Sequence, residues 1–282
     1  MSLSLHFAKS CESIDIRDNF SPFLGDGCLL PTCKFNLFKK ADSADFIADS
    51  AFLQFIDNGF PKKPISIKGF SISPCEDGIV IWNKYYSAAW VHQNFQKIDI
   101  CILDNQTDMP ILNQIIMRAY SYTALFNEAM IIHSAAVNHN GEGILFCGVP
   151  GAGKSTQSRL WQKVYNAEAL NNDQPRVVFE NGKAFVHGTP WSGKEPCYKN
   201  ESYPIKAIVF IEKAPYEKVE KLSILEAYAL LHLNNYLVPV VDGVEEKYSK
   251  VIEQLAKSVP VYRQYCTKTE EAPRALRAVI DN

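Results

Sequence analysis

Nowhere among the 282 residues do 18 apolar side chains run together, so the sequence offers no segment for a membrane-spanning helix. No C-x-x-C pair occurs among the eight cysteines, at 11, 28, 33, 75, 101, 147, 197 and 266. Neither a zinc site nor a disulfide framework is indicated, and scattered thiols of this kind suit a reducing compartment. There is no excess of one charge either. Lys+Arg 29 against Asp+Glu 31 leaves a formal −2, without the field that gathers nucleic acid or an anionic bilayer. The opening residues, Met1-Ser2-Leu3-Ser4-Leu5-His6, lack the apolar core of a secretory leader, and no repeat or low-complexity tract is found. The expectation is a soluble, cytoplasmic protein with no nucleic-acid or membrane partner; a homo-oligomer is left open. What is there is an ordinary globular composition, 47% hydrophobic, ample for a core.

From about Leu5 to Leu103 the chain shows short apolar or alternating runs broken by turn residues, such as Ile65-Ser66-Ile67, Gly78 to Trp82 and Ile98 to Ile102. This reads as a β-rich N-terminal domain, residues 1–105. Its aromatics, including Trp82, Tyr85, Tyr86 and Trp90, suit a β core better than a peptide site. Asp108 and Pro110 then open a helix carrying Leu112, Ile115, Ile116, Ala119, Thr123 and Phe126 at helical spacing. Residues 106–282 alternate strand and helix patterns and read as a second, α/β domain. Within it, Ile131-Ile132-His133-Ser134-Ala135-Ala136-Val137 is expected to be one strand, joined to Ile144 to Cys147 by a short turn containing Asn140-Gly141. Asn-Gly between strands signals a hairpin, because a parallel crossover needs a dozen or more residues; the sheet should therefore be mixed. Ser223 with Glu226 forms a capping box before a helix to about Asn234.

The most informative stretch is Gly148-Val149-Pro150-Gly151-Ala152-Gly153-Lys154-Ser155-Thr156, which matches the phosphate-binding pattern G-x-x-x-x-G-K-[ST] in full. An apolar strand precedes it and a helix pattern from Ser155 to Tyr165 follows. Glycines let the backbone curl so that N–H groups point at phosphates, the helix N-terminus adds its dipole, and Lys154 adds a mobile charge. Ser155 would then ligate Mg²⁺. These residues predict a nucleoside triphosphate site. Ala169-Leu170 leads into Asn171-Asn172-Asp173, a short strand ending in a carboxylate, where a metal-linked or proton-accepting group would fall.

His133, the hairpin, the glycine loop and Asp173 together resemble the core of bacterial HPr kinase/phosphorylase, itself similar to ATP-dependent phosphoenolpyruvate carboxykinase. A closer likeness is to uncharacterised HPr-kinase-like proteins carrying a segment such as Gly188-Thr189-Pro190-Trp191-Ser192-Gly193-Lys194. The resemblance covers roughly residues 130 to 282. It implies a mixed-sheet P-loop core and an ATP- and Mg²⁺-dependent kinase acting on a hydroxyl of a protein, peptide or small molecule. By the same resemblance, the nucleotide lies on Gly148, Gly151, Ala152, Gly153, Lys154, Ser155 and Thr156, with Mg²⁺ on Ser155 and Asp173. Asp173, His133 and Lys154 are its catalytic candidates. The family usually has two adjacent acids where this chain has Asn172 and Asp173, so a nucleotide-binding protein with weak or absent transfer is the alternative. A carboxykinase-like reaction ranks lower, because the extra arginine and metal-ligand motifs of those longer chains are not found.

For several residues two readings stand side by side. His133 is a phosphate or proton-transfer partner, or a hydrogen-bonded core histidine. Lys194 closes the 188–194 segment over phosphates, or ends a connector, while Trp191 reads as core. His187 reads as a surface-loop histidine, Arg159 and Arg176 as solvated, and Cys147 as an apolar filler at a strand end.

Overall fold

Strand runs rich in Ile, Val and aromatic residues, punctuated by Gly, Asn and Asp, build two sheets among the described residues. The computed structural model describes residues 3–8, 11, 17–23, 33–42, 52, 55, 59–60, 64–67, 69–83, 85–103, 108–193, 195–234 and 237–281. The chain forms two units. The first comprises Met1–Asp18, Gly25–Asn127 and Leu237–Lys247, and the second Asn19–Leu24, Glu128–Tyr236 and Tyr248–Asn282. Among the described residues no helix is long and apolar enough to cross a membrane.

In the first unit, β1 (Leu3–Phe7), β2 (Cys33–Lys39), β3 (Ile65–Ile67), β4 (Phe70–Cys75), β5 (Gly78–Asn83), β6 (Ser87–His92) and β7 (Lys97–Ile102) lie in the order β1-β2-β7-β6-β5-β4-β3. β1, β2 and β7 pair in parallel and the others antiparallel. Gly78 opens β5 at φ 143°, where a Cβ would lie 2.0 Å from the Val91 carbonyl oxygen. β5 and β6 are buried along nearly their whole length because both faces are covered. Phe38, Phe52, Val80, Trp82, Trp90 and Cys101 cluster together, while the alternate residues Ile79, Ile81, Ala89 and Val91 are buried too. Helix α1 (Met109–Leu125) packs on these two strands. Its start is the one expected: the Asp108 carboxylate accepts from the Ile111 N–H at 3.0 Å, with Pro110 in the first turn. The helix belongs to this unit, which thus runs past residue 105 to Asn127.

The second unit holds β8 (Ala129–Ile131), β9 (Ser134–His139), β10 (Glu142–Cys147), β11 (Glu168–Asn171), β12 (Arg176–Glu180), β13 (Lys183–His187), β14 (Ser202–Lys213), β15 (Lys218–Lys221) and β16 (Val261–Cys266). They are ordered β11-β9-β10-β14-β13-β12-β8, with β16 beside β14 and β15 beside β16. The helices are α2 (Lys154–Tyr165), α3 (Ile224–Leu233), α4 (Val244–Ser258), whose first turn belongs to the first unit, and α5 (Glu271–Ile280). Architecture is therefore α/β with mixed sheets. The Asn140-Gly141 hairpin is present: β9 and β10 pair antiparallel, and both turn residues have positive φ, 54° and 83°. The capping box at Ser223 and Glu226 forms with both of its bonds.

One expected strand is two. Residues 131–137 break at Ile132-His133, so that β8 pairs with β12 while β9 pairs with β10 and β11. The break is imposed by segment 173–175, whose Asp173 and Pro175 carbonyls accept the Ser134 N–H at 3.0 Å and the Ile132 N–H at 3.1 Å. An apolar run alone cannot reveal that two different strands share it. His133 thus sits in a bend between strands, where the strand reading had placed it within one.

Under the sheet, Phe146, Trp161, Val209, Ile211, Tyr262 and Leu276 form the core that seats α2 and α5. Trp161 is fully buried, and Arg277 lies over the Tyr165 ring at 4.6 Å from its centroid.

Candidate active site

β10 ends at Cys147, and the chain turns through six residues before α2 begins at Lys154. Gly148, Gly151 and Gly153 take φ of 140°, 82° and 118°, conformations that L side chains rarely adopt. Gly148 has a second constraint, since a Cβ there would lie 3.1 Å from both the Ile211 carbonyl oxygen and the Ala152 Cβ. Gly153 caps the helix with no side-chain hydrogen bond, so the amide end of α2 faces the loop.

Lys154 is 9% exposed, and its ammonium donates back to the loop, to Gly148 O at 2.9 Å and Val149 O at 3.5 Å. A cation is thereby held inside a backbone curl at a helix N-terminus. Ser155 is exposed and Thr156 half-buried, both in the first turn of α2. The Ala152 side chain packs into the core and its N–H donates to Val149 O at 3.0 Å, so it contributes to the curl rather than to an open surface. Cys147 is the filler it was expected to be, fully buried, with burial pushing its thiol up to about 12 despite the nearby Lys154 charge.

The register brings the other candidates to the same sheet edge. Cys147 pairs with Ser134, so His133 stands opposite the start of the loop. β11 pairs antiparallel with β9 and therefore runs parallel to β10, ending at Asn171 beside that edge. There His133 Nε2 lies 3.2 Å from Asp173 Oδ1, with both side chains partly shielded. Each partner's backbone is held by a side-chain amide: Asn234 donates to His133 O at 2.9 Å, and Asn171 Oδ1 accepts the Asp173 N–H at 3.0 Å.

Segment 188–193 packs against the Asp173 side of this pair. A Cβ on Gly193 would lie 3.5 Å from the Asp173 Cβ, and one on Gly188 only 1.9 Å from Lys199 O. Trp191 is core as expected, 4% exposed and edge-on to Phe20 at 5.9 Å. Lys194 lies outside the described residues. Asn172 donates to Glu195 O at 3.5 Å, and the Glu195 carboxylate pairs with Arg159 of α2 at 2.8 Å. Arg159 is half-exposed as read, though paired, and Arg176 is a half-buried residue of β12.

His187 departs from its reading. It ends β13 instead of lying in a surface loop, and burial, helped by the Arg176 charge, lowers it to about 4. The Glu180 carboxylate, 3.5 Å from its Nε2, is too exposed to offset that.

On the β14 flank of the loop lies a cavity of about 490 Å³, floored by Phe210 and Ile211, walled by residues 148–152 and Leu230 of α3, and rimmed by Glu212 and Lys213. Among the described residues no cluster of three or more His, Cys, Asp or Glu side chains could hold a metal ion. Asn171, Glu195 and Asn234 escaped the sequence reading as site residues, and Thr189 and Gly193 entered it only as members of the 188–194 segment. The signal available for Asn171 was a polar residue directly after the apolar pair Ala169-Leu170.

A family model described as SynChlorMet cassette protein ScmC matches residues 100–269, more than half of the chain. No curated protein matches it. Among solved structures, the HPr(Ser) kinase/phosphatase from Coxiella burnetii is similar at 10% identity, covering 54% of this chain and 99% of that chain. Its TM-score is 0.32, at which the likeness does not establish a shared core.

Proposed function

We propose that this chain, which belongs to the SynChlorMet cassette protein ScmC family, is an ATP- and Mg²⁺-dependent phosphotransferase that moves the γ-phosphate to a hydroxyl. The observation that carries the reading is the loop of residues 148–153. It joins strand to helix through three positive-φ glycines, with the Lys154 ammonium drawn inside it and the His133–Asp173 pair at the same sheet edge.

The residues fit a nucleotide with its cation. At Gly148 even a methyl group would crowd the Ile211 carbonyl, so the loop lies tight against β14, while a Cβ on Gly151 would meet nothing within 4 Å and leaves that side of the curl open to a ligand. A cation here would take few protein ligands, Ser155 Oγ and Asp173 foremost. That suits Mg²⁺, which keeps waters and draws other ligands from phosphates. A bound Mg²⁺ would supply charge neutralisation to the phosphates.

In this P-loop reading Lys154 leaves its loop carbonyls to hold phosphate oxygens, strengthening as charge develops in the transition state. Asp173 accepts the proton of the attacking hydroxyl, and His133 Nε2 holds that carboxylate in orientation. The apolar cavity beside residues 148–152 accommodates the part of a ligand that is not phosphate. A second reading, nucleotide binding without transfer, draws on the neutral Asn172 beside Asp173.

The test is transfer from γ-labelled ATP with Mg²⁺ into an extract of the source cell, split into protein and small-molecule pools, beside Lys154→Ala. Label that needs the intact lysine supports the transferase and names the acceptor class. ATP binding without lysine-dependent label supports the second reading, and absence of binding sinks both.

A further inference from the structure

We propose that Asn171 and Thr189 form a positioning clamp, one that sets the Asp173 carboxylate against His133 and locks segment 188–193 over it. The role of Asp173 rests on the phosphotransferase reading; the clamp itself rests on geometry.

Asn171 is wholly buried and Thr189 3% exposed, so their polar atoms must be satisfied from within the protein. The Asn171 Oδ1 accepts two backbone N–H groups, from Asp173 at 3.0 Å and Gln174 at 2.8 Å. Its Nδ2 donates to Trp191 O at 3.0 Å and Thr189 Oγ1 at 3.2 Å. The Thr189 hydroxyl in turn donates to Gln174 O at 2.7 Å and accepts from the Trp191 N–H at 3.3 Å. One carboxamide and one hydroxyl thus staple residues 173–174 to residues 189–191, with the bonding capacity of both groups in use. Asn is required at 171, because an Asp would keep the acceptor but turn an anionic oxygen toward the Trp191 carbonyl.

The clamp acts on the site through the backbone. Asp173 donates its N–H to Asn171 and accepts from the Ser134 N–H at 3.0 Å, one residue past His133. Asn19 donates to Pro190 O at 2.8 Å, which fixes the far side of the loop, and Gly193 lies against the Asp173 side chain. If Thr189 loses its hydroxyl, Gln174 O and the Asn171 amide each lose a partner in a buried place. The chain then relaxes at residues 173–174, the point from which the carboxylate reaches His133.

Thr189→Val, Thr189→Ser and Asn171→Asp test this in the full chain. In wild type, the amide protons of Asp173 and Gln174 should exchange slowly, and the His133 ring ¹⁵N signals should carry the signature of a carboxylate partner. Thr189→Val and Asn171→Asp should erase that signature, while Thr189→Ser restores it. Transfer kcat should fall about 10- to 100-fold, a misplacement effect, with the KM for MgATP within about threefold of wild type. A residue that merely held the fold would move KM, nucleotide affinity and the exchange of β10 together and would leave the His133 signature intact. That pattern, or fast exchange at Asp173 and Gln174 in wild type, overturns the clamp. Should Thr189→Val not fold, the wild-type exchange rates and Asn171→Asp still decide. A wild type with the signature and its loss in the variants, but no phosphate transfer at all, keeps the clamp and sinks the phosphotransferase.

Discussion

Two glycines of the same loop should respond very differently to one added methyl group. Gly148 and Gly151 both have positive φ, 140° and 82°, so Ala at either position carries backbone strain of roughly 1–3 kcal/mol. They differ in what surrounds them. Nothing lies within 4 Å of a Cβ built on Gly151, whereas at Gly148 it would meet the Ile211 carbonyl oxygen and the Ala152 Cβ, each at 3.1 Å. The oxygen belongs to β14, paired in register with β10, and Ala152 packs in the core, so neither can retreat without disturbing packed neighbours. Overpacking of this kind costs a further 1–3 kcal/mol or so. Gly148→Ala should therefore lose about 4 kcal/mol and Gly151→Ala about 2 kcal/mol. In a unit of this size these correspond to roughly 12 °C and 6 °C in melting temperature. Hydrogen exchange of β10 and α2 under increasing urea reads the second unit separately from the first. If the two variants lose equal stability within about 0.5 kcal/mol, the close approach at Gly148 does not constrain the loop, and the argument that β14 fixes its course falls with it.

Because burial holds the His187 imidazole at about 4, against an ordinary value near 6.5, the folded unit keeps it neutral while the unfolded chain protonates it. Stability of the second unit should thus decline by about 2–3 kcal/mol as pH falls from 6.5 to 4 and level off below. His187→Gln should flatten that slope in pH-dependent urea titrations, and an unchanged slope refutes the assignment. Asn172→Asp sets a carboxylate beside Asp173 and against the Glu195 carbonyl; it should lower stability by roughly 1 kcal/mol at low salt, regained with millimolar Mg²⁺. Wild type should show no Mg²⁺ effect without nucleotide, so a calorimetric response of wild type to Mg²⁺ alone counts against a cation held mainly by phosphates. Cys147 should resist alkylation in the native protein for hours at pH 8, since its thiol is buried and held neutral; rapid labelling by mass spectrometry contradicts that.

What could be read from the chain was what is decided within a few residues. Asn140-Gly141 needs only its own backbone to prefer two positive φ angles, Ser223 and Glu226 need only each other, and the glycines of residues 148–153 announce a curl by lacking Cβ atoms. The division of residues 131–137 was out of reach, because what splits that run is a pair of carbonyls from residues 173 and 175. An apolar run has the same appearance whether one strand or two share it. His187 was misread for the same reason: its burial comes from the antiparallel pairing of β13 with β12, where Arg176 stands opposite.

The candidate site divides along the same line, and the division has a chemical cause. The backbone groups that would touch phosphate come from one contiguous loop, since successive amides in a turn can converge on one anion, and so they form a motif. Groups that orient a carboxylate need only meet it in space. Asn171 lies two residues from Asp173, yet its donor bonds go to Thr189 and Trp191, which arrive from a loop 18 and 20 positions later. Asn234 reaches the His133 carbonyl across 101 positions. Asn171 and Thr189 are a neutral amide and a hydroxyl whose worth comes from having both donor and acceptor satisfied in a buried place, and Asn234 is a half-buried amide that donates. Such a residue leaves no spacing signature, and Asn, Thr or Gln in a sequence reads as a turn or surface residue by default. In a chain of this kind, candidate positioning residues are therefore found by following the buried amides inward from the carboxylate, and candidate phosphate residues by following the glycines along the chain.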